Sequence, residues 1–221
     1  MPFRDRSDAG RKLAKRLRKY ADCAGCVILG LPRGGVPVAY EVAHALHLPL
    51  DVFLVRKLGV PGHEELAMGA IASGGVKVLN DNVVRSLRIS PEDIAKETAK
   101  QQEELERRER EYREGRPALA VAGKTVILID DGLATGASMK AAIIALRQRR
   151  ARRILAAVPV ASPRTCEAIG ELADEIVCLE TPEDFYSVGE WYQDFFQTTD
   201  QEARAMLAKT AAEQPVPAAG E

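Results

Sequence analysis

The sequence has neither an excess of charge nor a long apolar stretch. Its 31 Lys and Arg residues are balanced by 32 Asp and Glu residues, which leaves a formal net charge of −1. A balanced surface gives no reason to expect nucleic acid or an anionic membrane as the main partner. No apolar run approaches the roughly 20 residues that a transmembrane helix needs, and residues 1–20 lack the apolar centre of a signal peptide. The composition therefore predicts a cytoplasmic protein that binds neither nucleic acid nor membrane.

Three common functional motifs are also missing. The chain has no G-x-x-x-x-G-K-[ST], which excludes a P-loop, and no G-x-G-x-x-G dinucleotide fingerprint. It also lacks the G-x-S-x-G nucleophile elbow of many serine hydrolases. If a nucleotide or sugar phosphate binds, another kind of site has to hold it.

Cysteines are few, and their spacing does not complete a metal site. Of the four cysteines, Cys23 and Cys26 form a single C-x-x-C, a pattern found in zinc knuckles and redox pairs. A structural zinc ion needs four ligands, and no second C-x-x-C follows. Cys26 also begins an aliphatic run, where a small buried residue is expected. We favour a structural role for this pair over a metal or redox role.

Aliphatic runs and helical spacing alternate along most of the chain. Strands are predicted over 26–31, 50–59, 124–130, 153–160 and 175–179, and helices over 10–21, 36–47, 137–149 and 163–173. Strands that are apolar throughout and alternate with helices are typical of a parallel sheet covered on both faces. The sequence thus predicts an α/β fold with a parallel sheet flanked by helices. We expect a single domain over 1–212 with its core at about 25–180.

Two insertions interrupt this alternation. Residues 58–75 are rich in glycine and predict a mobile loop that leads into a short hairpin, with 76–80 as the return strand. Residues 90–114 predict a long helix, because Ser90 can cap it, Pro91 suits its first turn, and Glu and Arg recur at i, i+4 spacing. Such self-paired charges are typical of a solvated helix rather than a nucleic-acid groove, and a coiled coil is disfavoured because sustained apolar a and d positions are missing.

The C-terminal part, residues 181–212, is unusually aromatic. Six of the chain's eleven aromatic residues lie within it, namely Phe185, Tyr186, Trp191, Tyr192, Phe195 and Phe196. Aromatic rings can stack on a flat ligand, or they can pack the segment onto the domain or onto a second copy. Both interpretations stay open from the sequence. Residues 213–221 are predicted to be a disordered tail.

The segment VILIDDGLATGAS, residues 126–138, carries the clearest chemical signal. Its aliphatic strand ends in Asp130 and Asp131. In an open α/β sheet, ligands bind at the carboxyl ends of the strands, and adjacent buried acids are costly unless they have a partner. Carboxylates would repel a phosphate but suit sugar hydroxyls. We therefore expect this acid pair to bind the hydroxyl groups of a sugar.

The loop after the acid pair, residues 132–138, leads into a predicted helix. Gly132 and Gly136 permit close approach of the backbone, and Thr135 and Ser138 add hydroxyl donors. Backbone N–H groups at a helix N-terminus form a binding site for phosphate. Together with the acid pair, the loop predicts a phosphorylated ribose as ligand, with the 5-phosphate in the loop and the 2- and 3-hydroxyls on the acids.

These residues resemble the signature of type I phosphoribosyltransferases, which bind phosphoribosyl pyrophosphate (PRPP): an aliphatic run, two acids, a small loop, Thr-Gly, then Ser or Thr. Two further segments match in the same order. GLPRGGVPVAYEVAHALHLPL, residues 30–50, is similar to the family's first strand and pyrophosphate loop. VRKLGVPGHEE, residues 55–65, is similar to the second strand end and flexible loop of the adenine-type enzymes. The resemblance covers about residues 25–180.

The resemblance implies transfer of the 5-phosphoribosyl group from PRPP to a nitrogenous acceptor such as a nucleobase, with release of pyrophosphate. It implies that Mg²⁺ takes part through substrate oxygens and water, without direct protein ligands, and that a homodimer is expected. Catalytic roles are implied for Arg33, Lys57, Asp130 and Asp131. Substrate-binding roles are implied for Gly34, Gly35, Arg56, Gly132, Leu133, Ala134, Thr135, Gly136, Ala137 and Ser138. The alternative is a non-catalytic regulator that binds PRPP or a nucleotide, although the intact PRGG and VRK segments favour catalysis.

The resemblance also has a lid and two departures. Residues 58–69 are expected to close over the site and exclude water; His63, Glu64 or Glu65 on this loop could take the proton of the nucleophile, although such side chains are more often simply solvated. Ala134 stands where the 6-oxopurine enzymes have an acid that contacts the base, which disfavours that substrate class. The aromatic C-terminal segment matches no base-binding hood that would name the acceptor.

Overall fold

The computed structural model describes residues 3–213, which form eight strands and seven α-helices. In chain order the elements are α1 (Arg6–Arg16), β1 (Cys26–Gly30), α2 (Gly35–Leu46), β2 (Leu50–Val52), β3 (Val55–Val60), β4 (His63–Ala72), β5 (Val76–Leu79), α3 (Asp81–Ser86), α4 (Pro91–Arg113), β6 (Thr125–Ile129), α5 (Ala137–Gln148), β7 (Arg153–Val160), α6 (Pro163–Gly170), β8 (Glu175–Glu180) and α7 (Asp200–Glu213). Between residues 3 and 213, no helix has the length and apolar character needed to cross a bilayer. The predicted disordered tail lies, from residue 214 onward, outside the described residues.

The main sheet has five parallel strands in the order β2-β1-β6-β7-β8. Successive side chains of a strand point to opposite faces, and both faces are covered. Ile28 packs in one cluster with Leu13 of α1 and Val42 of α2, whereas Val27 packs in a second cluster with Ile143 of α5. The predicted fold class, a parallel sheet flanked by helices, is confirmed.

The prediction of a single strand over 50–59 was wrong. The chain leaves the main sheet after Phe53, whose N–H donates to the carbonyl of Gly30 at 3.0 Å. The next residue, Leu54, donates to Ser73 Oγ at 2.8 Å and accepts from the Ser73 N–H at 2.9 Å. This exchange of partners passes the chain from β2 to β3, which belongs to a separate antiparallel sheet in the order β3-β4-β5.

The expected irregular loop over 58–69 is instead mostly β-hairpin. β3 pairs with β4 along its whole length, with register shifts around Gly59, and β5 is the predicted return strand. Leu58, Met68 and Ile71 are buried, which ties the base of the hairpin to the core. Residues 61–66 at its tip are all exposed. The glycine content therefore marks bulges and a turn within a hairpin rather than a structureless loop.

The long helix predicted over 90–114 is confirmed as α4. Ser90 is its N-cap and accepts a hydrogen bond from the Asp93 N–H at 3.0 Å. Its last residue, Arg113, donates from Nε to both carboxylate oxygens of Asp51 on β2, each at 3.0 Å. The helix is thus solvated along much of its length and fixed to the main sheet at its C-terminal end.

The two ends of the described chain meet beside the main sheet. Phe3 donates from its N–H to the Trp191 carbonyl at 2.6 Å and accepts from the Gln193 N–H at 2.8 Å. We call residues 3–6 together with 185–196 the cap. Within the cap, the packing interpretation of the aromatic segment holds for Tyr192, which is buried with its ring centroid 5.4 Å from that of Phe3. The helix α7 that follows was not predicted.

The cysteines form two disulfides. Cys23 is bonded to Cys26, and Cys166 of α6 is bonded to Cys178 of β8. Each bond joins neighbouring segments, so the first pair has the structural role that we favoured for it.

Candidate active site

The acid pair lies directly against the diglycine turn that follows β1. Strands β1 and β6 are neighbours in register, with Gly30 opposite Ile129, so the turn and the acids extend from the same edge of the sheet. A Cβ added to Gly34 would be 1.9 Å from Asp131 Oδ2, and one added to Gly35 would be 2.9 Å from the Asp130 Cα. The structure therefore brings together four of the residues that the sequence assigned to the site, and only glycine fits at the turn.

Both acids are only partly accessible, and their environment disfavours negative charge. Burial and the neighbouring Asp131 carboxylate raise the pKa of Asp130 well above its ordinary value, against the hydrogen bond that its Oδ1 accepts from the Asp131 N–H at 2.9 Å. Burial also raises the pKa of Asp131, but the guanidinium of Arg6 opposes that shift. A ligand that donates hydroxyl hydrogens to these carboxylates would supply partners that the protein offers only in part.

The loop from 132 to 138 has open hydrogen-bond donors. The N–H groups of Ala134, Thr135 and Gly136 donate to no other group in the described residues. Leu133, in contrast, is buried and donates to the Val160 carbonyl at 2.9 Å, which fixes the base of the loop. Unpaired N–H groups before the first turn of α5 form an anion-binding arrangement of the kind expected for phosphate.

A threonine outside the predicted set supports this loop. Thr165 of α6 donates from its hydroxyl to the Ala134 carbonyl at 2.9 Å. Its methyl group would lie 2.9 Å from a Cβ at Gly136, whose φ of +70° is in the left-handed region. The loop therefore depends on glycine at 136 both for its backbone conformation and for its contact with α6. Its exposed residues Thr135, Ala137 and Ser138 lie at the surface.

The predicted cations divide into free and paired groups. Among residues 3–213, the side chains of Arg33 and Lys57 form no hydrogen bond or ion pair. Lys57 lines a cavity of about 640 Å³ together with Ala137 and Ser138 at the end of the phosphate loop. Arg56 does not line it: it donates from Nε to Gln101 at 2.6 Å and has Nη1 3.7 Å from Glu104, both on α4. Since neighbouring residues of a strand face opposite ways, Arg56 and Lys57 do not act on one ligand from the same side.

Two residues at the acid pair were missed from the sequence. Arg6 of α1 donates from Nε to Asp131 Oδ2 at 2.8 Å. Tyr192 of the cap donates from its hydroxyl to the Asp131 carbonyl at 2.6 Å. No local pattern could have identified them, because Arg6 is 125 positions away from Asp131 and Tyr192 is 61. Only the meeting of the chain ends brings both to the site.

An open parallel sheet that ends in an acid pair, a diglycine turn and an anion-binding loop defines a site for a sugar phosphate. The sequence profile of the phosphoribosyl transferase domain matches residues 4–194. The chain belongs to the phosphoribosyl transferase domain family.

Several relatives share its sequence or its fold. Two curated proteins from the CDC 1551 / Oshkosh and H37Rv strains of Mycobacterium tuberculosis, each named "Putative phosphoribosyl transferase", are 48% identical over 205 residues. The match takes in 93% of this chain but 46% of theirs, so the chain spans about half the length of these relatives. The crystal structure of TT1426 from Thermus thermophilus is 45% identical, superposes with a TM-score of 0.82, and is covered to 99% by 95% of this chain.

Proposed function

We propose that the protein is a phosphoribosyltransferase that moves the 5-phosphoribosyl group of PRPP to a nitrogenous acceptor, a nucleobase in the simplest case, and releases pyrophosphate. The observation that carries this proposal is the contact of the acid pair with the diglycine turn on adjacent strands, beside a loop with open N–H donors. One sugar can reach the acids, the turn and the loop only if its hydroxyls, its C1 substituent and its 5-phosphate point in three directions. PRPP has that arrangement.

Each group then has a role in an oxocarbenium-like reaction. The loop from Gly132 to Ser138 holds the 5-phosphate, and Asp130 and Asp131 accept hydrogen bonds from the 2- and 3-hydroxyls. Arg33 and Lys57, the cations without partners, stabilise the negative charge that departs with pyrophosphate as positive charge develops on the ribose. The nucleophile attacks C1 from the opposite face, which breaks the bond to pyrophosphate and forms the bond to the acceptor nitrogen.

The residues at the site fit Mg²⁺ only as an ion that arrives with its substrate. Between residues 3 and 213 there is no group of three or more His, Cys, Asp or Glu side chains that could hold a metal. Mg²⁺ prefers oxygen ligands and usually keeps substrate oxygens and water. Bound to the pyrophosphate, it would neutralise charge on the leaving group. A homodimer and a cytoplasmic location complete the proposal as predictions.

The experiment that tests the proposal is an incubation with PRPP, Mg²⁺ and a panel of nucleobases, with pyrophosphate release as the readout. We expect release that depends on one acceptor class and is lost in the Asp130→Asn, Asp131→Asn double variant. PRPP binding without release for any acceptor would favour the regulatory alternative. An unaltered protein that does not bind PRPP in calorimetry would overturn both.

Two cation variants test the division of roles. Arg33→Ala and Lys57→Ala should weaken pyrophosphate binding at least about tenfold, as loss of a charge-assisted contact implies, while ribose 5-phosphate binding changes little. Arg56→Ala is the matched control from the neighbouring position, because its guanidinium is already bound to α4. Equal losses for both ligands in Arg33→Ala and Lys57→Ala would contradict these roles.

A further inference from the structure

Arg6 connects three separate segments at the acid pair. Its Nε donates to Asp131 Oδ2 at 2.8 Å, and its Nη1 donates to the Phe196 carbonyl at 2.7 Å. Its guanidinium carbon lies 3.9 Å from the centre of the Phe195 ring, within the range of a cation–π contact. One side chain of α1 thus contacts both the acid pair and the aromatic part of the cap.

This contact differs from the other arginine pairs of helix α1. The side chains of Arg6 and Asp131 are 12% and 15% exposed, so their ion pair is shielded from water. Arg11, on the same helix, pairs with Glu41 while its own side chain is 44% exposed. A shielded, charge-assisted hydrogen bond restricts its carboxylate far more than a solvated pair does.

The geometry leaves part of Asp131 free for a ligand. Oδ2 is held between the Arg6 guanidinium and the backbone of Gly34, while no hydrogen bond within the described residues reaches Oδ1 from another side chain except through Asp130. The carboxylate is therefore fixed in position by one oxygen and can accept from a ligand hydroxyl with the other.

We propose that Arg6 is a positioning residue of the PRPP site: it holds the Asp131 carboxylate toward the ribose hydroxyls and couples docking of the cap to occupation of the site. This inference rests on the proposed function. Arg6 itself does not contact the sugar, and its effect passes through Asp131. By linkage, a ligand that needs the fixed carboxylate also stabilises the docked cap.

The test is a double-mutant cycle with ribose 5-phosphate, the half of PRPP that carries the hydroxyls. Arg6→Gln should weaken its binding about tenfold or more in calorimetry, Arg6→Lys should restore part of the loss, and pyrophosphate binding should not change. In an Asp131→Asn background the Arg6→Gln effect should disappear, because the residue through which Arg6 acts is altered. Arg11→Gln is the matched control and should leave both affinities unchanged.

A second measurement follows the cap directly. In the unaltered protein, ribose 5-phosphate should slow amide exchange at Gln193 and Asp194, whose N–H groups donate to the carbonyls of Phe3 and Arg4. In folded Arg6→Gln this slowing should be lost. Unchanged or tighter ribose 5-phosphate binding in Arg6→Gln would overturn this inference alone, tighter binding indicating that Arg6 obstructs the site. Failure of the unaltered protein to bind ribose 5-phosphate or PRPP would overturn the proposed function with it.

Discussion

At the scale of single residues, the glycine at 34 is set by the carboxylate opposite it. Because a Cβ there would lie 1.9 Å from Asp131 Oδ2 and 2.5 Å from its Cγ, Gly34→Ala must displace a side chain that Arg6 also holds. We expect a loss of about 1–3 kcal/mol in the free energy of unfolding and no measurable PRPP binding. Gly25→Ala, whose Cβ would meet nothing closer than Arg152 at 3.8 Å, is the control for denaturant unfolding. Equal behaviour of the two variants would contradict the prediction.

Asp130 is expected to reduce stability as the pH rises. Since burial raises its pKa well above that of a free aspartic acid, the native state binds more protons than the unfolded state above about pH 4. Its contribution to the free energy of unfolding therefore falls from about pH 4 toward neutrality. Asp130→Asn removes this loss, so the variant should be more stable than the unaltered protein at neutral pH and similar near pH 3–4. Urea unfolding across this range checks the sign; a difference that does not vary with pH would contradict it.

At the scale of elements, α4 depends on its last turn. The Arg113 and Asp51 side chains are 11% and 8% exposed, and Asp51 also accepts from the Leu119 N–H at 3.0 Å. Arg113→Met leaves that carboxylate buried without its charge partner, which should cost about 3–5 kcal/mol. Arg107→Met, on the exposed face of the same helix, should cost less than about 1 kcal/mol. Urea unfolding of the two variants checks the contrast, which similar losses would refute.

The β3–β4 hairpin should be rigid at its base and mobile at its tip. The base is paired and buried at Leu58 and Ile71, whereas residues 61–66 are all exposed. Exposed segments with few buried contacts open easily, so amide exchange at 61–66 should be fast without ligand. PRPP with Mg²⁺ should slow it, because closure would exclude water from the site, while exchange in α4 should barely change. A tip that is protected without ligand, or unaffected by it, would exclude a lid at this position.

At the scale of the whole molecule, the chain ends stabilise one another. Phe3 is 2% exposed and its ring lies against that of Tyr192. Phe3→Ala should cost about 3–5 kcal/mol if the cap unfolds with the rest of the protein, or expose the cap to protease if it opens by itself. Tyr186→Ala, in the same segment but 82% exposed, should change stability by no more than about 0.5 kcal/mol. Phe3→Ala with unchanged stability and unchanged proteolysis would contradict a joined cap.

The elements that the sequence predicted well are those with a strong local pattern. The aliphatic runs that became β1, β6, β7 and β8, and the capped, ion-paired α4, need no distant information, because burial on both faces and i, i+4 pairing leave their mark within a few residues. The strand over 50–59 failed for the opposite reason. Its break after Phe53 depends on Ser73, a residue of a different sheet, and nothing between 50 and 59 records that partner.

The site divides in the same way. The acid pair, the small loop and the diglycine turn follow strands of a parallel sheet, and such strands end at one edge, so the sequence by itself determined which groups meet there. The tertiary structure alone decided how the cations are used: Arg56 is bound to α4 because it faces away from Lys57 on β3. It also decided that Arg6 and Tyr192 reach Asp131, since that contact exists only where Phe3 and Gln193 join the two ends of the chain. Contacts across 125 positions arise from packing, and packing leaves no local pattern in the residues that it brings together.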